Sequence, residues 1–158
     1  MSTSVWRIGY NKARSLAAFA YGSTLEAGRW HRTPPDGQPV VYAGSSRALC
    51  QLEKRVHCNG VQPRNQILIR LDLPDGAQLL DIRTLGSLPA NWRDDEPWTQ
   101  NAGVQWRAAG SSLGLWVPSA VEPGESNLIL NPDHPSFTGI VMAIERDPFE
   151  FDGRMFGP

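Results

Sequence analysis

The sequence predicts a single α+β domain. Three observations carry this. Six or seven short stretches read as strands, and they do not alternate regularly with helices. Two stretches have helical periodicity with cap chemistry, one opening after Ser46 and one at Thr99. The 158 residues, 41% hydrophobic and 20% charged, are enough for one packed core and too few for two comfortable ones. The whole chain, 1–158, is therefore read as one domain with its core at about 6–154.

Ser4–Tyr10 reads as the first strand, with Trp6 and Ile8 on one face and Arg7 exposed or reaching toward an anion. Asn11–Gly22 fits either a short helix or a loop. Gly28–His31 reads as a short strand, joined as a hairpin to a strand at Val40–Tyr42 by the Pro34-Pro35-Asp36-Gly37 turn. Gly44-Ser45-Ser46 breaks that second strand and offers hydroxyls to cap a helix. In that helix Leu49, Leu52 and Val56 repeat at helical spacing and mark the face expected to be buried, with Glu53 on its border. Gln66–Leu73 alternates, placing Ile67, Ile69, Leu71 and Leu73 inward and Leu68, Arg70 and Asp72 outward. Gln78–Ile82 reads as a short strand and Leu88–Trp98 as irregular. Thr99–Ala109 is a helix capped by Thr99, with Ala102, Trp106 and Ala109 sharing a face. Leu113–Val121 is a strand broken by Pro118, which puts Ser119 at a kink facing a cleft. Ser126–Leu130 and Ile140–Glu145 complete the strands, and a tail at Pro148–Phe156 docks Phe149, Phe151 and Phe156.

A net charge of −1, from 15 basic and 16 acidic residues, does not suit direct nucleic-acid binding by bulk electrostatics. No apolar run approaches the roughly 20 residues of a membrane span, and the N-terminus lacks the apolar core of a signal peptide. Cys50 and Cys58 lie on one predicted helix, roughly 12 Å apart by helical rise, too far for a disulfide. These features read as a reduced, cytoplasmic chain. The sequence has no phosphate-binding GxxxxGK[ST], no GxGxxG, no CxxC and no GxSxG. His31, His57 and His134 lack metal-ligand spacing, so no metal is expected. Six Trp and an apolar tail are compatible with a homodimer. Arg29, flanked by Gly and Trp, suits holding a phosphate or carboxylate, or a structural ion pair. Glu53 is either a surface glutamate or an acid held at the rim of a pocket.

Taken together, WRI at Trp6–Ile8, GRW at Gly28–Trp30, VVYAGSS at Val40–Ser46, LEKRVH at Leu52–His57 and NWR at Asn91–Arg93 form a pattern. It continues through TQNAGVQW at Thr99–Trp106, VPSAV at Val117–Val121, NLILNP at Asn127–Pro132 and HPSF at His134–Phe137. No single motif is specific. The ordered set, from about Trp6 to Arg154, resembles the RES-domain family, the toxin halves of bacterial type II toxin–antitoxin systems. The resemblance implies an ADP-ribosyltransferase-like fold of short antiparallel strands and a few helices, acting on NAD as substrate. It implies cleavage of the nicotinamide–ribose bond, with ADP-ribose passed to water, phosphate or a protein. The Arg, Glu and Ser that name the family fall on Arg29, Glu53 and Ser119, and a Tyr that it uses falls on Tyr42. His31 stands where members often carry Asn.

In those roles Glu53 would sit beside the ribose and favour its developing positive charge. Arg29 would hold the pyrophosphate, Tyr42 would pack the nicotinamide ring, and Ser119 would orient the glutamate or the ribose. Arg47 and Asn131 are weaker binding candidates, by position alone. The resemblance also implies an Xre-type helix-turn-helix antitoxin covering the active site. Two alternatives stand beside the NAD-degrading toxin: an ADP-ribosyltransferase that modifies a protein, and a catalytically silent relative that only binds its antitoxin. Retention of all four residues argues against the silent one.

Overall fold

The computed structural model describes residues 2–86 and 88–157. Seven strands form one sheet: β1 (Ser4–Tyr10), β2 (Val41–Gly44), β3 (Gln66–Asp72), β4 (Leu79–Asp81), β5 (Gly114–Pro118), β6 (Ser126–Leu130) and β7 (Val141–Phe149). Their order across the sheet is β4-β5-β6-β2-β1-β3-β7. Four α-helices accompany them: α1 (Leu16–Gly22), α2 (Arg47–His57), α3 (Ile82–Leu85) and α4 (Glu96–Ala109). This is the expected α+β class. The sheet is mixed rather than wholly antiparallel, because β4 runs parallel to β5.

The region left open between Asn11 and Gly22 is a helix where Ser15 provides a cap, its hydroxyl accepting from the Ala18 amide at 3.1 Å. α2 begins as expected, with Ser46 Oγ accepting from Leu49 N at 3.0 Å. Its buried face is not the expected one. Leu49 and Cys50 are buried, but Leu52 and Val56 are 43% and 58% exposed. Only the first turns of α2 pack on β1, where the Cys50 thiol donates to Trp6 O at 3.1 Å. Beyond Cys50 the helix borders a cleft, which Glu53, Lys54, Val56 and His57 line where a core would otherwise be. Burial pushes the Cys50 thiol up to about 12, so it stays protonated.

β3 also departs from simple alternation. Leu68, expected outward, is fully buried. The outer face of this strand is covered, and Leu68 packs with Ile8, Cys50, Phe149 and Phe151. Phe149 and Phe151 meet edge to face at 4.9 Å between centroids, and Phe156 follows at 5.7 Å, so the tail completes that core. β7 is longer than the expected Ile140–Glu145 because its second half extends along β3 as far as Phe149 opposite Gln66.

Gly28–His31 is a loop closed by a single Gly28–His31 bridge, and it makes no hairpin with β2. It is seated on α4 instead. That helix starts earlier than Thr99: Asp95 caps it, accepting from Trp98 N at 3.1 Å, and Pro97 occupies a first-turn position that needs no donor. Thr99 is fully buried and does not cap. Trp106 is buried as expected, but Ala109 is exposed, and Gly103 and Arg107 take the inward positions. Arg107 donates to Pro39 O at 2.8 Å and to Asp133 at 2.7 Å. Gln100 Nε2 donates to Gly28 O at 3.0 Å, and Gly103 lies directly against the carbonyl of Trp30. A second core, containing Trp30, Val40, Trp92, Trp106, Leu115 and Ile129, fills the space beneath this loop.

A Gly→Ala change inside a helix ordinarily stabilises by about 1 kcal/mol. At Gly103 the added methyl would occupy the position of the Trp30 carbonyl oxygen. Gly103→Ala is expected to destabilise by about 2 kcal/mol or more, read as a lowered urea midpoint, because loop or helix must move. A neutral or raised midpoint would refute this seating of the loop.

Candidate active site

A cleft of about 870 Å³ opens between α2, β1, β2 and the loops around Arg29, Arg93 and Ala120. Trp6, Ile8 and Cys50 line one side, while Trp30 and Tyr42 line the other. The side chains with chemistry reach it from separate parts of the chain.

Glu53 comes from α2 and is 22% exposed at its side chain. Its Oε1 accepts two hydrogen bonds, from Ser119 Oγ at 2.7 Å and from Asn127 Nδ2 at 2.7 Å. Ser119 follows the end of β5 at Pro118, as the proline bend predicts. Ser119 is fully buried, and its Oγ also accepts the amides of Val121 and Glu122, each at 3.0 Å. With both amides pointing at the oxygen, the hydroxyl proton is directed at Glu53. Ser119 therefore positions the carboxylate rather than facing the cleft itself.

Asn127 is a site residue that sequence reasoning did not single out. It lies on β6 opposite Gly44 of β2. A Cβ on Gly44 would come within 2.9 Å of Cys50 Sγ and 3.4 Å of Asn127 Oδ1, so a bare backbone there lets α2 close over the strand pair. The second carboxylate oxygen, Oε2, has His57 Nδ1 3.8 Å away. That nitrogen is 2.7 Å from the Glu53 backbone carbonyl. Both hydrogen bonds to the carboxylate thus fall on Oε1, and Oε2 accepts none among the described residues.

Tyr42 lines the cleft from β2. Its hydroxyl lies 2.6 Å from His31 Nδ1 and accepts the Trp30 amide at 3.2 Å. His31 Nε2 lies 2.9 Å from Ser23 O, a carbonyl that can only accept. The proton therefore sits on Nε2, and Tyr42 donates to Nδ1. Burial pushes the phenol well above its ordinary range, so Tyr42 is neutral. His31, where Asn was the resemblance's expectation, serves as the buried acceptor that fixes this ring.

Arg29 is half-buried, with Nη1 donating to Arg93 O at 2.9 Å and its guanidinium 5.8 Å from the Trp92 ring centroid. Arg93 in turn donates to Ala120 O at 2.6 Å, which ties the loop beside Arg29 to the turn that carries Ser119. Arg29, Tyr42, Glu53 and, through Glu53, Ser119 are therefore brought together. Arg47 and Asn131 are not. Arg47 forms a two-pronged pair with Glu145 at 2.8 Å and stacks on Trp6 outside the cleft. Asn131 is buried at the end of β6, capping the Asp133 amide at 2.9 Å. Arg7, left open in the sequence between exposure and an anion, lines the cleft wall, with Nη1 donating to Tyr42 O at 3.1 Å.

Arg7, Arg29, Lys54 and Arg93 face Glu53 and Asp94 around the cleft, so the balance favours an anionic ligand. A carboxylate with one oxygen pinned, a neutral aromatic ring and a fixed guanidinium can stabilise a developing cation next to a bound anion. Among the described residues no group of three or more His, Cys, Asp or Glu is placed to hold a metal ion, and no helix is long and apolar enough to cross a membrane.

Comparison with known proteins gives a match to the RES domain over residues 4–152. A protein of Sphingobium sp. (strain YBL2) named Prs ADP-ribosylating toxin is 39% identical over 148 residues, 89% of each chain. Toxin Res of Yersinia enterocolitica is 34% identical over 155 residues, 96% of this chain and 98% of that one. Toxin Res of Photorhabdus laumondii is 32% identical over 154 residues, 96% of each. A chain of the crystal structure of the M. tuberculosis MbcT-MbcA toxin–antitoxin complex superposes with a TM-score of 0.66 at 15% identity, covering 99% of this chain and 87% of that one. This last likeness is one of fold.

Tyr42→Phe would leave the Trp30 amide without its acceptor and His31 Nδ1 without its strongest donor. It is expected to cost about 1–3 kcal/mol in chemical denaturation. A loss below about 0.5 kcal/mol would mean that the hydroxyl does not anchor the loop.

Proposed function

The chain belongs to the RES-domain family, and on that premise we propose that it is a toxin whose cleft cleaves the bond between nicotinamide and ribose in NAD. The observation that carries this reading is Glu53, which lines the cleft with Oε1 held by Ser119 and Asn127 and Oε2 without a hydrogen bond among the described residues. Loss of the cationic nicotinamide passes through an oxocarbenium-like state with positive charge spread over the ribose. A carboxylate fixed in advance stabilises that charge without reorganising as it develops. Two neutral donors keep the carboxylate in place without neutralising it. Tyr42, locked by His31 and Trp30, offers a ring face to the nicotinamide, and Arg29 offers a permanent charge to the phosphates.

A protein side chain as acceptor of the ADP-ribose is the second reading. It is favoured by the 39% identity to a relative named an ADP-ribosylating toxin. In either case the product arrests the cell that makes it unless a partner blocks the cleft. An antitoxin, of Xre type in this proposal, supplies that block in the cytoplasm.

The test is chromatography of NAD after incubation with the purified chain, with and without phosphate. Glu53→Gln is expected to lower NAD loss by at least about 100-fold while the protein stays folded. Asn127→Ala and Ser119→Ala are each expected to lower it by about 10-fold, since each removes one of two donors. A fully active Glu53→Gln variant would sink the assignment. Intact NAD with the wild-type chain, together with ADP-ribose appearing on protein in a cell extract, would favour the second reading.

A further inference from the structure

Four cations line the larger cleft, Arg7, Arg29, Lys54 and Arg93, and none of them forms an ion pair among the described residues. Arg7 projects from β1 and Lys54 from α2, and both line the cleft beside Glu53. The Arg7 guanidinium lies 4.5 Å from the Phe19 ring centroid, and its Nε–H is buried with no acceptor. Nη1 reaches Tyr42 O, so the head is positioned, yet its charge is uncompensated. Burial lowers Arg7 to about 10, and burial together with the Arg7 charge lowers Lys54. Like charges held together out of water cost stability in the free protein. An anion placed between them would remove that cost.

A second, smaller cleft of about 500 Å³ adjoins the first. Arg7, Arg29, Tyr42 and His57 line both, so the two clefts meet at the two arginines. Glu53 lines only the larger one. A ligand with two bulky halves joined by a charged linker matches this arrangement.

We propose that Arg7 and Lys54, together with Arg29, form the subsite for the diphosphate of the dinucleotide. The nicotinamide ribose then lies by Glu53 in the larger cleft, and the adenosine half enters the smaller one. This subsite rests on the NAD reading above, and its test separates the two. Calorimetric titration with ADP-ribose is made on the wild-type chain, on Lys54→Met and on Arg7→Gln, at low salt and at about 0.5 M salt. Titration of Glu53→Gln with NAD accompanies it.

Each charge-removing variant is expected to raise the ADP-ribose Kd by about 10-fold or more at low salt, and the difference from wild type is expected to shrink at high salt. A purely structural role for either residue would give a loss indifferent to salt. If ADP-ribose binds the wild type and both variants equally, or if the loss does not respond to salt, the subsite is wrong and the NAD reading stands. If neither ADP-ribose nor NAD binds at all, the NAD reading falls and the subsite falls with it. Should Arg7→Gln fail to fold, Lys54→Met decides alone, since that side chain leaves from the partly exposed half of α2.

Discussion

One oxygen atom, Glu53 Oε1, accepts from both Ser119 and Asn127, and the geometry of the cleft follows from that pair of bonds. The bonds join α2 to two neighbouring elements that lie far from it along the chain, the turn after β5 and β6. A carboxylate pulled across the sheet in this way sets the roll of its helix. With Glu53 turned toward β6, Leu49 and Cys50 face the core, and Leu52 and Val56 are left facing solvent. Hydrogen bonds to a charged acceptor are roughly twice as strong as neutral ones, which makes this roll stable against the burial that two aliphatic side chains forgo.

The opposite wall is built on a different principle. Arg29 and Trp30 stand on a loop with little regular structure of its own, and its rigidity comes from what lies beneath it. Gly103 gives the Trp30 carbonyl room, Gln100 holds Gly28, and the Trp30 and Trp92 rings pack at 6.1 Å. The His31–Tyr42 pair then pins the loop to β2. The acid is thus mounted by hydrogen bonds across strands, and the guanidinium by apolar packing against a helix. Arg93, through Ala120, is the link between the two mounts.

Much of this was legible in the sequence. The α+β class, the Ser46 cap, the Pro118 bend and the residues Arg29, Tyr42, Glu53 and Ser119 all came from local chemistry or from the ordered set of motifs. What escaped has a common physical cause. Periodicity separates polar from apolar faces, but a polar face looks the same whether it meets bulk water or a cleft. Periodicity alone therefore leaves Glu53 between a surface glutamate and an acid at a pocket rim, and Arg7 between solvent and an unspecified anion. The choice between Asn127 and Asn131 depends on register: only the pairing with Gly44 puts Asn127 beside Glu53. Leu68 was misplaced because nothing within β3 reports that α2 and the C-terminal phenylalanines cover its second face. Gly28–His31 reads as a short extended piece, but Trp30 is buried against α4 and His31 against Ser23 and Tyr42, contacts that no local pattern reports.

The Glu53 clamp has a sequence separation of 66 residues to Ser119 and 74 to Asn127. Contacts so distant along the chain form late, because a long loop must close before they contribute. During synthesis Glu53 is made early, but its two donors exist only once β5 and β6 have been translated, with Asn127 falling in the last fifth of the 158 residues. β7, which covers the free edge of β3, comes later still. A nascent chain on the ribosome, or one cut short before β6, carries the glutamate without its clamp. The order of translation therefore withholds the assembled clamp until β6 has been made.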